Sequence, residues 1–199
     1  MSALAGRTAA VVGSGPAVAA ITAALAAAGA TVRAVNAGGD FGTPDIVVHA
    51  DLPPLRPRAL MATDGAAWDE VAEAPIRRAL LTAQAAHRSA TRLIFVVPTV
   101  SMEGAADFAG QAGALEAVRL LAKSAARRWA ANGLTVNVVS PAMADLQPDL
   151  AASDAGRTKP ALAGGLETLA QAVVWLAGPG AAGITGATIP TDGGAVLVP

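Results

Sequence analysis

Hydrophobic positions along the chain change period in a regular way. Short β-branched runs at residues 8–12, 31–36, 45–49, 92–97 and 134–139 alternate with longer Ala- and Leu-rich stretches. In those stretches the apolar positions recur every three or four residues. The clearest case lies within residues 108–141, where Val118, Leu121, Ala125, Ala126 and Trp129 fall on one side of a helix. Asn132-Gly133 supplies the left-handed cap that stops this helix, and Ser140-Pro141 ends the strand that follows. Further helices are predicted over residues 16–28, closed by Gly29, over 64–87, capped by Thr63-Asp64, and over 166–176. Strands alternating with helices predict an α/β fold, a doubly wound parallel sheet forming one domain over residues 1–199.

Composition narrows the possibilities. The chain is 53% hydrophobic and only 3% aromatic, with 21 Gly and 13 Pro, which suits tightly layered helices and strands. A formal charge of −1 offers no basic surface for nucleic acid or an anionic membrane. There is no cysteine, so neither a disulfide frame nor thiolate chemistry is available, compatible with a cytoplasmic protein. The uncharged runs 8–32 and 168–191 are long enough to span a membrane. Both are broken by glycine and proline turns, so they are expected to be buried strand–turn–helix units. Arg7 before an Ala-rich run mimics a secretion signal, but that run is needed for the first strand and helix. The sequence shows no metal-ligand cluster, P-loop, Ser-His-Asp set or internal repeat.

Gly13-Ser14-Gly15-Pro16 hands the first strand to the first helix. Such a turn can hold phosphate, because free N–H groups and the helix dipole point at the anion. Gly13, Ser14, Gly15 and Val18 are therefore the candidate cofactor-binding residues.

Taken together, the turn, the segment GLTVNVVSPA (residues 133–142) and the carboxyl-terminal ITGATIPTDGG (residues 184–194) resemble the short-chain dehydrogenase/reductase family, in particular 3-oxoacyl-acyl-carrier-protein reductases. The family's patterns are TGxxxGxG, GIrVNxVxPG and ITGqxixvDGG. The resemblance implies a Rossmann-like sheet of order 2-1-4-5-6-7 in family numbering, with the third strand and its flanking helices missing. Only residues 37–44 join the second strand to the next, too few for a crossover helix. Extended, eight residues reach about 26 Å, against a path of roughly 20 Å, so the join is expected to run nearly straight across the sheet.

The same resemblance places Gln111 and Leu115 where the family has its catalytic Tyr and Lys, and Pro98 where it has its Ser. Pro75 replaces the Asn that orders a relay water, and is expected to kink its helix. Thr99 and Ser101 are the nearest hydroxyls to the serine position; Arg119 and Lys123 are the nearest cations beyond Leu115. Ala17, Ala19 and Ala142 replace cofactor-facing glycines, and Asp40 is the nearest acid for a ribose hydroxyl. His87 is expected to cap a helix end and His49 to make a structural hydrogen bond.

No catalytic residue, no metal site and no cofactor are therefore expected. The chain is expected to be a non-catalytic subunit, pairing with itself or with an active family member through helices 64–87 and 104–132. Three alternatives stay open. The first is an NAD(P)-dependent oxidoreductase with relocated groups. The second is a nucleotide- or anion-binding sensor at residues 13–15. The third is different chemistry in the old cleft, with Asp145, Asp149 and Arg157 as its charges.

Overall fold

A computed structural model describes residues 2–153, 162 and 164–197. Six strands form one parallel sheet: β1 (Thr8–Gly13), β2 (Thr31–Val35), β3 (Ile46–Ala50), β4 (Arg92–Val96), β5 (Thr135–Ser140) and β6 (Thr188–Pro190). Their order is β2-β1-β3-β4-β5-β6, the order expected once the family's third strand is removed. Four longer helices cover the sheet: α1 (Pro16–Ala27), α3 (Ala74–Ala86), α5 (Ala109–Trp129) and α7 (Leu166–Ala177). Three single-turn helices lie in the connections, α2 (Gly65–Trp68), α4 (Val100–Glu103) and α6 (Met143–Leu146). No helix among the described residues is long and apolar enough to cross a membrane. The uncharged run 8–32 folds as the expected strand–turn–helix, whereas the run 168–191 has the reverse order, α7, a 3-10 turn and β6.

The central strands β3, β4 and β5 are buried along their whole length, because helices cover both faces. On one face Leu93, Phe95, Val136 and Val138 pack with Ala79, Ala83, Val118 and Ala122 of α3 and α5. On the other, Val11, Val48 and Ile94 meet Ile21 and Leu25 of α1 and Leu169 and Val173 of α7. Small alanines at the helix contacts let these layers approach closely, which accounts for a core with so few aromatic rings.

Two expected helices take a more segmented form. Residues 64–87 comprise α2, capped by the Asp64 carboxylate on Ala67 N–H, then a π turn at Asp69–Glu73, then α3. Pro75 was expected to kink one helix. Instead the wide turn just before it accepts the ring: Ala74 N–H donates five residues back to Asp69 O, easing the crowding a proline causes in the preceding turn. Residues 104–132 divide into a loop from Gly104, α5, and a 3-10 turn ending at Gly133, whose φ of 80° makes it the left-handed cap. Arg157, one of the charges considered for the old cleft, lies outside the described residues.

The join over residues 37–44 is not straight. It turns at once, with Gly39 N–H donating to Asn36 O, then crosses the β1 face as a strap. Phe41 is buried there and takes its place in the same core as α3 and α5. One aromatic ring stands in for the missing helix on that side. Phe41→Ala is expected to destabilise the protein by about 3 kcal/mol, the usual cost of emptying such a site. A denaturant midpoint unchanged from the parent chain would show that the strap contributes nothing to the core.

Candidate functional site

Where the family's catalytic residues would stand, this chain closes on itself. Gln111, in the first turns of α5, is buried, and its Nε2 donates to Arg56 O at 2.7 Å and to Pro54 O at 3.3 Å. Both carbonyls belong to the Pro-rich loop after β3. Leu55 between them is buried in the core, and Arg58 N–H donates to Asp107 O at 2.7 Å to pin the far end. Leu115, one turn further along α5, is buried at 3% exposure, and Pro98 is buried at the end of β4. The space left among His49, Pro53, Pro75, Val96 and Leu115 is a cavity of about 10 Å³, at the lower limit for one water molecule.

The surrounding polar groups are engaged with one another. The Thr82 hydroxyl donates to Arg78 O at 3.0 Å, so His49 Nδ1, 3.0 Å from the same oxygen, must carry the hydrogen. Burial, countered in part by nearby Asp51, pushes the His49 pKa down to about 4. Asp51 is itself paired with Arg78 at 2.5 Å. His49 is thus the structural hydrogen-bonding group expected from its position, and it is neutral at pH 7. His87 closes α3 and stacks on Trp129, with ring centroids 4.6 Å apart.

The remaining sequence candidates scatter. Arg119 is clamped by the Glu116 carboxylate, which raises its pKa further, so it offers no transferable proton. With Lys123 and Ser101 it lines an open depression of about 660 Å³ between α5 and β6, which contains none of Pro98, Gln111 and Leu115. Thr99 is buried beside that depression's α4 wall. Asp145 accepts from Gly165 N–H at 3.1 Å, and burial, with some help from Asp192, raises its pKa. Asp192 in turn accepts from the N–H groups of Gly194 and Val196. Asp149 lies in the 3-10 turn Pro148–Leu150.

The glycine turn is formed, but its four candidates divide. Ser14 and Gly15 are exposed at the start of α1, which has no side-chain cap. Gly13 and Val18 face inward. Gly13 pairs with Ala50, and a β-carbon there would lie 2.6 Å from Ala50 O. The first glycine of the motif is therefore needed to bring β1 against β3, a role invisible without the pairing register. Ala17 is buried against the α7 layer. Asp40 spends its carboxylate on Gly42 N–H at 2.8 Å, within its own turn. A phosphate could meet the start of α1, but at the adenosine end the nearest acid, Asp40, holds Gly42 N–H through one carboxylate oxygen. At the nicotinamide end the family's Tyr and Lys positions are the buried Gln111 and Leu115. These residues do not fit a whole dinucleotide.

Gly13→Ala is expected to cost about 2–3 kcal/mol, since the obstacle is backbone and the φ of 130° is itself unfavourable. Gly15→Ala, at a φ of 95° but in open space, should cost about 1 kcal/mol; equal losses in urea titrations would refute the distinction. Because the folded His49 pKa is depressed, its contribution to stability is complete above about pH 6.5 and is lost as pH falls towards 4. The loss amounts to about 3 kcal/mol. His49→Asn should flatten that part of the stability profile, and a variant with an unaltered slope would contradict this.

Comparison with known proteins agrees with the architecture. Residues 6–196 match the family model described as enoyl-(acyl carrier protein) reductase. The 3-oxoacyl-[acyl-carrier-protein] reductase FabG of Salmonella typhimurium is 31% identical over 179 residues, covering 82% of this chain and 71% of the relative. Cis-4-hydroxycyclohexanecarboxylate dehydrogenase of Sinomonas cyclohexanicum is 33% identical, covering 81% of this chain and 70% of the relative. Among solved structures, a dehydrogenase/reductase from Sinorhizobium meliloti 1021 superposes with a TM-score of 0.86 at 27% identity, covering 98% of this chain and 97% of that one. A short-chain dehydrogenase from Burkholderia cenocepacia J2315, solved with NADP, shares the fold at a TM-score of 0.85 and 24% identity, covering 97% and 99%. On sequence, strand order and superposition alike, the chain belongs to the short-chain dehydrogenase/reductase family.

Proposed function

We propose that this chain is a non-catalytic member of its family, a subunit that associates through its helices and performs no carbonyl chemistry. The observation that carries the proposal is the Gln111 carboxamide bound to the carbonyls of Pro54 and Arg56. Carbonyl reduction needs an acid that protonates the developing alkoxide and a cation that lowers that acid's pKa. Gln111 has no titratable proton in the physiological range, Leu115 has no charge, and the loop carbonyls occupy the donors that Gln111 does have. The residues present do not fit a nicotinamide in a reacting position.

Association has its own support. Trp68, Leu80 and Leu120 are large apolar side chains at 40%, 42% and 52% exposure on the α2–α3 run and α5. The run begins acidic, with exposed Asp69, Glu70 and Glu73; α5 ends basic, with exposed Lys123, Arg127 and Arg128. Both helices follow parallel strands and so run the same way. A two-fold axis across them sets the acidic start of one protomer towards the basic end of its mate. An active family member with similar helices would suit the same face.

The names of the relatives favour the alternative, an NAD(P)-dependent oxidoreductase with relocated groups. Two measurements decide between them. The purified chain is expected to oxidise no NADPH above background with a β-ketoacyl thioester; turnover would end the proposal. Native mass spectrometry, with the genomic neighbours co-expressed, should show a homo- or hetero-oligomer that Leu120→Glu dissociates. A monomeric parent chain would remove the case for a subunit.

A further inference from the structure

We propose that the hollow between the 37–44 strap and α3 is a binding site for a small carboxylate with an apolar, preferably aromatic, body. This does not depend on whether catalysis has been lost. The cavity measures about 260 Å³ and is walled by Val12, Phe41, Leu81 and Ala85, with Arg78 and Thr82 as its polar side chains. A dry apolar cavity of about 150 Å³ holds a benzene ring, so there is room here for a ring and a short acidic arm. Leu81 is 52% exposed although it faces an apolar wall, which leaves hydrophobic surface for a ligand to cover.

The head group is selected by Arg78. Its Nε is held by Asp51 at 2.5 Å, which fixes the plane of the guanidinium, while its Nη atoms make no hydrogen bond among the described residues. A planar fork with one edge tied and one edge free suits a carboxylate's two oxygens. Thr82 does not compete for the ligand as a donor, because its hydrogen is spent on Arg78 O. The site exists because the chain is short here: the strap crosses where the family resemblance places a helix, and Phe41 fills only part of that volume.

Calorimetric or saturation-transfer NMR titration of the full chain with phenylacetate and with its uncharged analogue phenylacetamide tests the site. Phenylacetate should bind at least about tenfold more tightly, the worth of one good charge-assisted pair. Arg78→Lys, which keeps the charge beside Asp51 but removes the fork, should abolish most of that preference. Leu81→Trp, at an exposed position where folding is not at stake, should fill the hollow and block both compounds. Equal affinity for acid and amide, no binding of the acid, or binding that survives Leu81→Trp would each overturn the assignment.

Discussion

The two hydrogen bonds from Gln111 to the loop after β3 fix the arrangement on which the upper part of the molecule depends. A buried carboxamide without partners would cost several kcal/mol. The loop must therefore come down onto α5, and Leu55 goes into the core with it. Once the loop is seated, the space above Leu115 and below Pro53 is too small for a substrate. The four departures at Pro75, Pro98, Gln111 and Leu115 then form one consistent set. Three are apolar side chains suited to a closed, dry interior, and the fourth is the polar latch that closes it.

The short join between β2 and β3 has a second, separate consequence. It removes a strand and two helices, leaving β2 as the edge of the sheet with Arg33 in its middle. A short edge strand bearing a charge resists pairing with another chain. On the face towards α3, the strap restores only part of the lost layer. The protein keeps a full core under α5 and α7 and a thinner one beneath β1, where Phe41 is the principal filling.

Much of this was legible in the sequence because period and punctuation mark parallel α/β units strongly. The first five strands lie within a residue of their expected bounds, β6 falls inside the 184–194 motif, and the sheet order follows from family resemblance and the length of the join. Three features were not. The π turn before Pro75 depends on how a helix relieves a ring–carbonyl clash, and nothing in DEVAEAP announces it. The strap's turn at residues 36–39 needed the position of Phe41 in three dimensions. The latch joins residues 54 and 56 to residue 111, a long-range pairing that no local pattern encodes, although a glutamine on a buried helical side was a signal that it needed partners. The identity of Gln111 was informative; its partners were not.

The latch can be observed directly through the side-chain amide of Gln111 in the ¹⁵N-labelled protein. Buried and bound to two carbonyls, its NH₂ protons are expected to exchange with solvent far more slowly than those of exposed glutamines such as Gln84. Exchange as fast as that of Gln84 would mean that the cleft stands open, and the account of a closed, non-catalytic site would be contradicted.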